Sequence, residues 1–373
     1  MENKPRLILV TDLPPNSEHS AIDGIYKSSL KEWYDVYTVY FGKDIGGPLL
    51  KENKDIFIPY RNRKRDLIKS LGAIINLGSI DHFVVRNLFD SLKQVINATN
   101  SFNFKVGFWE SFPHSYRRLH QANEEQKSII RKTIEFAYKS RRENKLINRC
   151  DYYFPITSTF KKTFRELCNT PWMPVPMGFD FSIPVDRSQS HDHTPVKLVY
   201  IGTIDPLRRL DDVIQGLIDS THNFELHVYS KSKNRAVDAI KKFADPRVIF
   251  HDALPRKELL QRIQNYDIGV SIIPRGKLYD VSSPTKTFEY SALGLAVMIN
   301  DLPEHQEVYD QSSAFFCPFN KQGVTNCLND ILNLSAKQIA NVGYKGQKKV
   351  QQKRNYQTTG ESIHQFISKI SCS

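Results

Sequence analysis

Short apolar runs recur along the chain and alternate with longer stretches of helical period, the pattern of parallel α/β units. In the first half the runs at 7–10, 34–40, 56–60, 104–108 and 152–156 predict strands. Helical periodicity predicts long helices over much of 63–100 and 120–149. In the second half, strands are predicted at 198–201, 225–229, 248–250, 268–272, 297–299 and 314–317. Between the halves, Pro174-Val175-Pro176-Met177-Gly178-Phe179-Asp180 breaks the periodicity. A polar stretch over 186–193 follows, and the two together read as a linker. The expected division is therefore 1–180, 181–355 and a terminal segment, 356–373. In that last segment Ile363, Phe366, Ile367 and Ile370 trace one face of a helix. The fold class expected is α/β, with two doubly wound, Rossmann-like domains.

Size fits this division, since 373 residues exceed one typical core. Apolar residues make up 40% of the chain, enough to fill two cores. No apolar run is long enough to predict a spanning helix, and the polar start leading into the first strand carries no visible signal peptide. The 5 cysteines lack paired spacing, which argues against a disulfide framework or zinc site. A cytoplasmic protein is expected. In the polar linker His191 and His193 read as solvated rather than metal-bound, and no metal site is expected.

Formal net charge is +12, with basic clusters at Arg61-Asn62-Arg63-Lys64-Arg65, at Arg117-Arg118 and along 127–149. A solvated face, a nucleic-acid surface and a patch for anionic lipid headgroups all satisfy such charge. Nucleic acid is the weakest of the three, because no helix-turn-helix, zinc or aromatic RNA-binding signature accompanies it.

The segment Ser282-Ser283-Pro284-Thr285-Lys286-Thr287-Phe288-Glu289-Tyr290 carries the most chemistry. A Ser-Ser-Pro turn opens a helix, which Gly294 ends before the next strand. Free amides at a helix N-terminus suit a diphosphate. Lys286 adds a cation and Glu289 an acceptor for hydroxyls, so the group suits a ligand with phosphates and a polyol, such as a nucleotide sugar.

This segment resembles the donor motif of GT-B glycosyltransferases, particularly the retaining group called family 4, in which Pro-x-Lys-x-x-Glu-Tyr is followed by Gly-x-x-Val. The resemblance implies two Rossmann-like domains facing a central cleft, with the terminal helix crossing back to the first. It implies a nucleotide-sugar donor linked to UDP or GDP, no cofactor and no metal; no Asp-x-Asp occurs in the chain. The implied acceptor is a lipid-linked saccharide or other glycan in cell-surface polysaccharide synthesis. Peripheral contact with the inner face of the membrane, through the basic patches of the first domain, goes with that acceptor. No nucleic-acid partner is implied.

Carried residue by residue, the resemblance places Gly202, Thr203 and Arg208 on the donor diphosphate with Ser282, Ser283, Thr285 and Lys286. Arg208 stands at the family's lysine, whereas Thr203 replaces its arginine; Arg209 or Lys286 is expected to compensate. Glu289, His251 and Ser230 fall to ribose and base. Arg275 and Lys277, after the strand predicted at 268–272, are further candidates for donor or acceptor. The family's first paired glutamate is absent, because Val281 occupies its place beside Asp280. On the acceptor side the loop after the first strand offers Asp12, Asp23 and Gly24. A second loop, Phe108-Trp109-Glu110-Ser111-Phe112-Pro113-His114, offers Trp109, Glu110 and His114. The catalytic candidates are His114, Glu110 and Asp12. An inverting transferase would require a carboxylate base from Glu110, Asp12 or Asp23. A nucleotide-sugar epimerase on the same fold and a non-enzymatic lipid- or nucleic-acid-binding protein are the remaining alternatives.

Overall fold

The computed structural model describes residues 4–124, 129–185 and 194–371. The linker histidines His191 and His193 lie outside the described residues. The chain forms two compact units, Met1–Pro176 together with Tyr356–Ser373, and Met177–Asn355.

Among the described residues of the first unit, seven strands form one sheet: β1 (Arg6–Val10), β2 (Asp35–Gly42), β3 (Leu49–Leu50), β4 (Asp55–Pro59), β5 (His82–Arg86), β6 (Lys105–Glu110) and β7 (Tyr152–Pro155). Their order is β3-β4-β2-β1-β5-β6-β7, parallel throughout except that β3 runs against β4. Strand succession reverses direction between β1 and β5. Such a switch point leaves a crevice at the strand C-termini, the usual ligand position in an open α/β sheet.

The stretch expected to be largely helical over 63–100 departs from that reading. It holds a short helix, Leu67–Gly72, then β5, then a second helix, Phe89–Ala98. His82-Phe83-Val84-Val85-Arg86 is buried along its whole length, as a strand between two neighbours must be. A fully buried strand has no polar face, so its pattern merges with those of the flanking helices.

The terminal helix Tyr356–Ser371 belongs to this unit and buries Tyr356, Gly360, Ile363 and Ile367 along one stripe. Gly360 permits the close approach: a Cβ there would lie 2.1 Å from Ser29 Oγ. His364 stacks on Trp33 with ring centroids 4.8 Å apart.

The second unit contains, among the described residues, β8 (Val196–Ile201), β9 (Phe224–Tyr229), β10 (Val248–His251), β11 (Ile268–Ser271), β12 (Ala296–Ile299) and β13 (Phe315–Phe316). All pair in parallel in the order β10-β9-β8-β11-β12-β13, so the switch point falls between β8 and β11. Leu198, Leu226, Val228, Ile268 and Met298 fill one face against the helices Leu210–Ile218 and Lys321–Leu332.

On the other face lies the helix Thr285–Ala292. Tyr290 is fully buried across Gly269, where a Cβ would meet Tyr290 Cδ2 at 2.2 Å, so only glycine lets this helix lie so close to β11. The Tyr290 hydroxyl accepts the Ile201 amide at 2.7 Å, fixing the helix to the end of β8.

Candidate functional site

The turn after β8 begins at Gly202, whose φ of +124° favours glycine and whose Cα faces open space. Asp205 then caps the turn Pro206–Arg208 by accepting from the Arg208 amide. Arg208 Nε lies 3.4 Å from Asp205 Oδ2. Arg209 is turned away: it pairs with Asp212 at 2.6 Å and lies over Phe319. The missing cation at Thr203 is therefore not replaced by Arg209. Thr203 contributes its carbonyl, which accepts from the Tyr200 hydroxyl at 3.0 Å.

Lys286 stands in the first turn of the helix Thr285–Ala292, and its Nζ sits 3.7 Å above the Tyr200 ring. It is 9% exposed and, among the described residues, has no hydrogen-bonded or ion-paired partner. Burial, and then the nearby Arg208 cation, hold its pKa well below the usual lysine value. No side chain caps the N-terminus of this helix. Two cations and an uncapped helix end thus gather beside the switch point, and of the two only Arg208 has an anion, Asp205, beside it. The cation over the aromatic ring gains some attraction, but far less than desolvation costs it.

The two serines before the helix are structural. Ser283 Oγ accepts from the Met177 amide at 2.9 Å and donates to Glu304 Oε1 at 2.8 Å, and Glu304 pairs in turn with buried Arg354. Ser282 Oγ donates to the Tyr279 carbonyl at 2.6 Å. Both hydroxyls are thus engaged within the protein, and any part of these two serines in phosphate binding falls to the backbone. Thr287 Oγ1 is held by Ser271 Oγ at 2.6 Å and His305 Nε2 at 3.2 Å, which locks the helix further.

Glu289 is buried, which raises its pKa, while an ion pair with Arg256 Nη2 at 2.6 Å opposes that shift. His251 stacks on Tyr229 at 4.5 Å and bonds His227 at 2.8 Å through Nε2. It shares a pocket with Lys197 and Tyr266, none of which belongs to the Gly202–Lys286 group. Ser230 Oγ accepts the Ser232 amide at 3.1 Å, shaping the loop after β9. Arg275 is occupied by Asp280 and Asp301, at 2.7 Å each.

In the first unit, a polar network fills the switch point between β1 and β5. Arg86, buried, forms an ion pair with Asp12 and lies over the Trp109 ring at 5.0 Å. Its Nη2 donates to Ser111 Oγ at 3.1 Å and stands 3.1 Å from His19 Nε2. Asn87, with a left-handed φ of 57°, donates to Asp12 Oδ2 at 3.1 Å and to Ser111 Oγ at 2.9 Å. Arg86 and Asn87 were missed by sequence reasoning, because the strand that carries them was read as helix. The only sequence signal was the β-branched pair Val84-Val85 ahead of them.

His114 borders this network at the start of the helix His114–Glu124, with part of its surface open to solvent. Desolvation lowers its pKa; Arg86, Arg117 and Arg118 act in the same direction, against Asp12. Asp23 Oδ2 accepts the His19 amide at 3.1 Å.

Three acceptor-side expectations need correction. Glu110 is 2% exposed and faces inward, where both its oxygens accept from Arg165 at 2.5 and 2.8 Å and one also accepts from Tyr153. That carboxylate serves as a structural anion, neutralised by Arg165. Trp109 is fully buried beneath Tyr26, whose ring stacks at 5.5 Å. Gly24 meets Tyr356 so closely that a Cβ would lie 2.3 Å from Tyr356 Cδ2, so it serves helix packing.

Among the described residues no three His, Cys, Asp or Glu side chains stand together as a metal would require. No described helix is long and apolar enough to cross a membrane.

No protein-family model matches the chain, and no curated protein matches it in sequence. Solved structures do match in shape. A sucrose-phosphate synthase from Thermosynechococcus elongatus superposes with a TM-score of 0.74 at 10% identity, covering 98% of this chain and 99% of that one. An α,α-trehalose-phosphate synthase (UDP-forming) from Burkholderia xenovorans, in complex with glucose-6-phosphate, gives 0.67 at 12% identity over 97% and 99%. A trehalose-6-phosphate protein of E. coli bound with UDP-2-fluoro glucose gives 0.67 at 10% over 98% of both chains. The chain has the GT-B fold, with a parallel sheet in each unit.

Proposed function

We propose that the chain is a hexosyltransferase, moving a glycosyl group from a nucleoside-diphosphate sugar to an acceptor hydroxyl. The observation that carries this reading is Lys286, a buried cation without an anion, beside Arg208 and an uncapped helix end. A donor diphosphate supplies the missing charge. Gly202 lets the phosphates approach the backbone; Thr203 and Thr285 border them, and Glu289, steadied by Arg256, accepts from ribose hydroxyls. UDP is favoured over GDP because one GT-B neighbour is bound with UDP-2-fluoro glucose.

Transfer breaks the bond between the anomeric carbon and the β-phosphate oxygen. Lys286, Arg208 and the free helix amides stabilise the charge that develops on that oxygen, and they do so without a metal ion. Retention is favoured over inversion, as in family 4. Glu110 is paired with Arg165, Asp12 is held by Arg86 and Asn87, and Asp23 accepts the His19 amide. In the retaining reaction the departing phosphate oxygen takes the acceptor proton, so no side-chain base is required. His114 donates to a hydroxyl of the transferred sugar.

Turnover tests the reading. Incubation with UDP-glucose and glucose-6-phosphate, the ligand of a second neighbour, is expected to release UDP only when both are present, with an α-linked product by NMR. Interconversion of the nucleotide sugar without an acceptor would instead identify an epimerase.

The lipid-linked acceptor and membrane contact expected from the sequence have one supporting feature. The helix Ile129–Ile147 exposes Ile130, Ile134 and Tyr138 on one face, with exposed Arg131, Arg141 and Arg142 nearby. An apolar stripe flanked by cations suits an anionic bilayer surface, such as the inner membrane face used in polysaccharide synthesis. Vesicles of phosphatidylcholine and phosphatidylglycerol should therefore sediment the wild-type protein and leave the I130N/I134N variant in solution. Equal sedimentation of the two would remove this helix from any membrane role.

A further inference from the structure

The first unit holds a second positively charged recess, distinct from the Asp12–Arg86 network that forms its floor. Asp12, Arg63, Asn87, Phe89, His114, Arg117, Arg118 and their neighbours enclose about 620 Å³ at the C-terminal ends of β1 and β5. Three arginines from two elements line it. Arg63 comes from the turn Tyr60–Lys64, and Arg117 and Arg118 come from the helix His114–Glu124. Among the described residues none of the three has an ion-pair partner. Arg63 lies over the Tyr60 ring at 4.6 Å and Arg117 over Phe112 at 5.9 Å, contacts that orient the groups without neutralising them. Two acids also line it: Asp12, already paired with buried Arg86, and Asp90, in the first turn of the helix Phe89–Ala98. The helix Phe89–Ala98, on the wall of the recess, begins without a side-chain cap.

Guanidinium groups lining one recess repel one another, and an anion placed among them relieves that repulsion. Their forked donors match the oxygens of a phosphate ester better than those of a neutral sugar. An uncapped helix end adds a partial positive charge to the same wall. The neutral polar groups of the recess are already engaged: Asn87 bonds Asp12 and Ser111, and buried Ser91 donates to the Arg63 carbonyl.

We infer that this recess is an acceptor subsite selective for a phosphate-bearing sugar, with Arg63, Arg117 and Arg118 on the phosphate. The inference rests on the transferase reading for the word acceptor, but the phosphate selectivity stands on the recess itself. A soluble sugar phosphate and the sugar-phosphate end of a lipid carrier present the same chemistry here.

The test compares wild type with the R63Q/R117Q/R118Q variant in calorimetric titrations of glucose-6-phosphate, glucose and inorganic phosphate, with UDP as a control. Glucose-6-phosphate should bind the wild type at least about tenfold more tightly than glucose does, and the variant should lose that preference while keeping its UDP affinity. Equal binding of glucose and glucose-6-phosphate, or an unchanged preference in the variant, overturns the inference. A preference that vanishes in the variant, from a protein that binds no UDP, upholds the phosphate site and overturns only the transferase reading. Phosphatidic acid vesicles form the second arm. If they bind the wild type and not the variant while glucose-6-phosphate binds neither, the soluble ester is excluded and the inference fails as stated.

Discussion

Replacing Arg165 by methionine is expected to cost about 3–5 kcal/mol of stability in a urea melt, the largest loss in the first unit. Arg165 is 4% exposed and lies between two carboxylates, bonded to Glu110 at 2.5 Å and to Glu143 at 2.7 Å. Burial alone would disfavour its charge, yet the two glutamates overcome that and raise its pKa. Tyr153 donates to Glu110 at 2.9 Å and Ser115 to Glu143 at 2.6 Å, completing the set. Without the guanidinium, two buried carboxylates face each other uncompensated. The triple variant R165M/E110Q/E143Q should recover most of the loss. A deficit below about 1 kcal/mol for R165M alone would mean the carboxylates are hydrated, and would return Glu110 to the list of catalytic candidates.

Lys286→Met should act in opposite directions on binding and on stability. Nucleoside diphosphate affinity is expected to fall by about 1.5–3 kcal/mol, the scale of a lost charge-assisted contact. The free protein, however, should gain about 1–3 kcal/mol, because a desolvated cation with no partner is replaced by an apolar chain of similar length. The pH dependence follows from the depressed pKa of Lys286. Between that value and the unfolded one, near 10.4, the unfolded chain binds more protons than the folded protein. Wild-type stability therefore rises with pH across that window, and the rise should be missing in the methionine variant. A lysine serving only structure would give the reverse pattern, with stability lost and affinity unchanged.

The donor side was more legible in the sequence than the acceptor side, for a physical reason. Proline, lysine, glutamate and glycine of the 284–294 segment lie on one helix and its flanking turns, so their relation is fixed locally by helix geometry. Even there the structural contacts of Ser283 were not legible, because its partners, Met177 and Glu304, are distant in sequence. On the acceptor side, Glu110 appeared to be a loop carboxylate. Its true partner is Arg165, 55 residues further on, and only the fold brings them together. Arg86 and Asn87 were hidden by the wrong period assigned to their strand, although they hold Asp12 in place. The alternation of runs sufficed for the fold class, since parallel strands buried on both faces leave continuous apolar segments at regular spacing.

The most direct test of the account is calorimetric titration of the wild-type protein and the Lys286→Met variant with UDP and with GDP, in magnesium and in EDTA. The account predicts saturable wild-type binding of UDP, indifferent to EDTA and weakened at least about tenfold in the variant. Failure of both nucleotides to bind the wild type, or equal affinity in the two proteins, would contradict the assignment of Lys286 and its neighbours to a donor diphosphate.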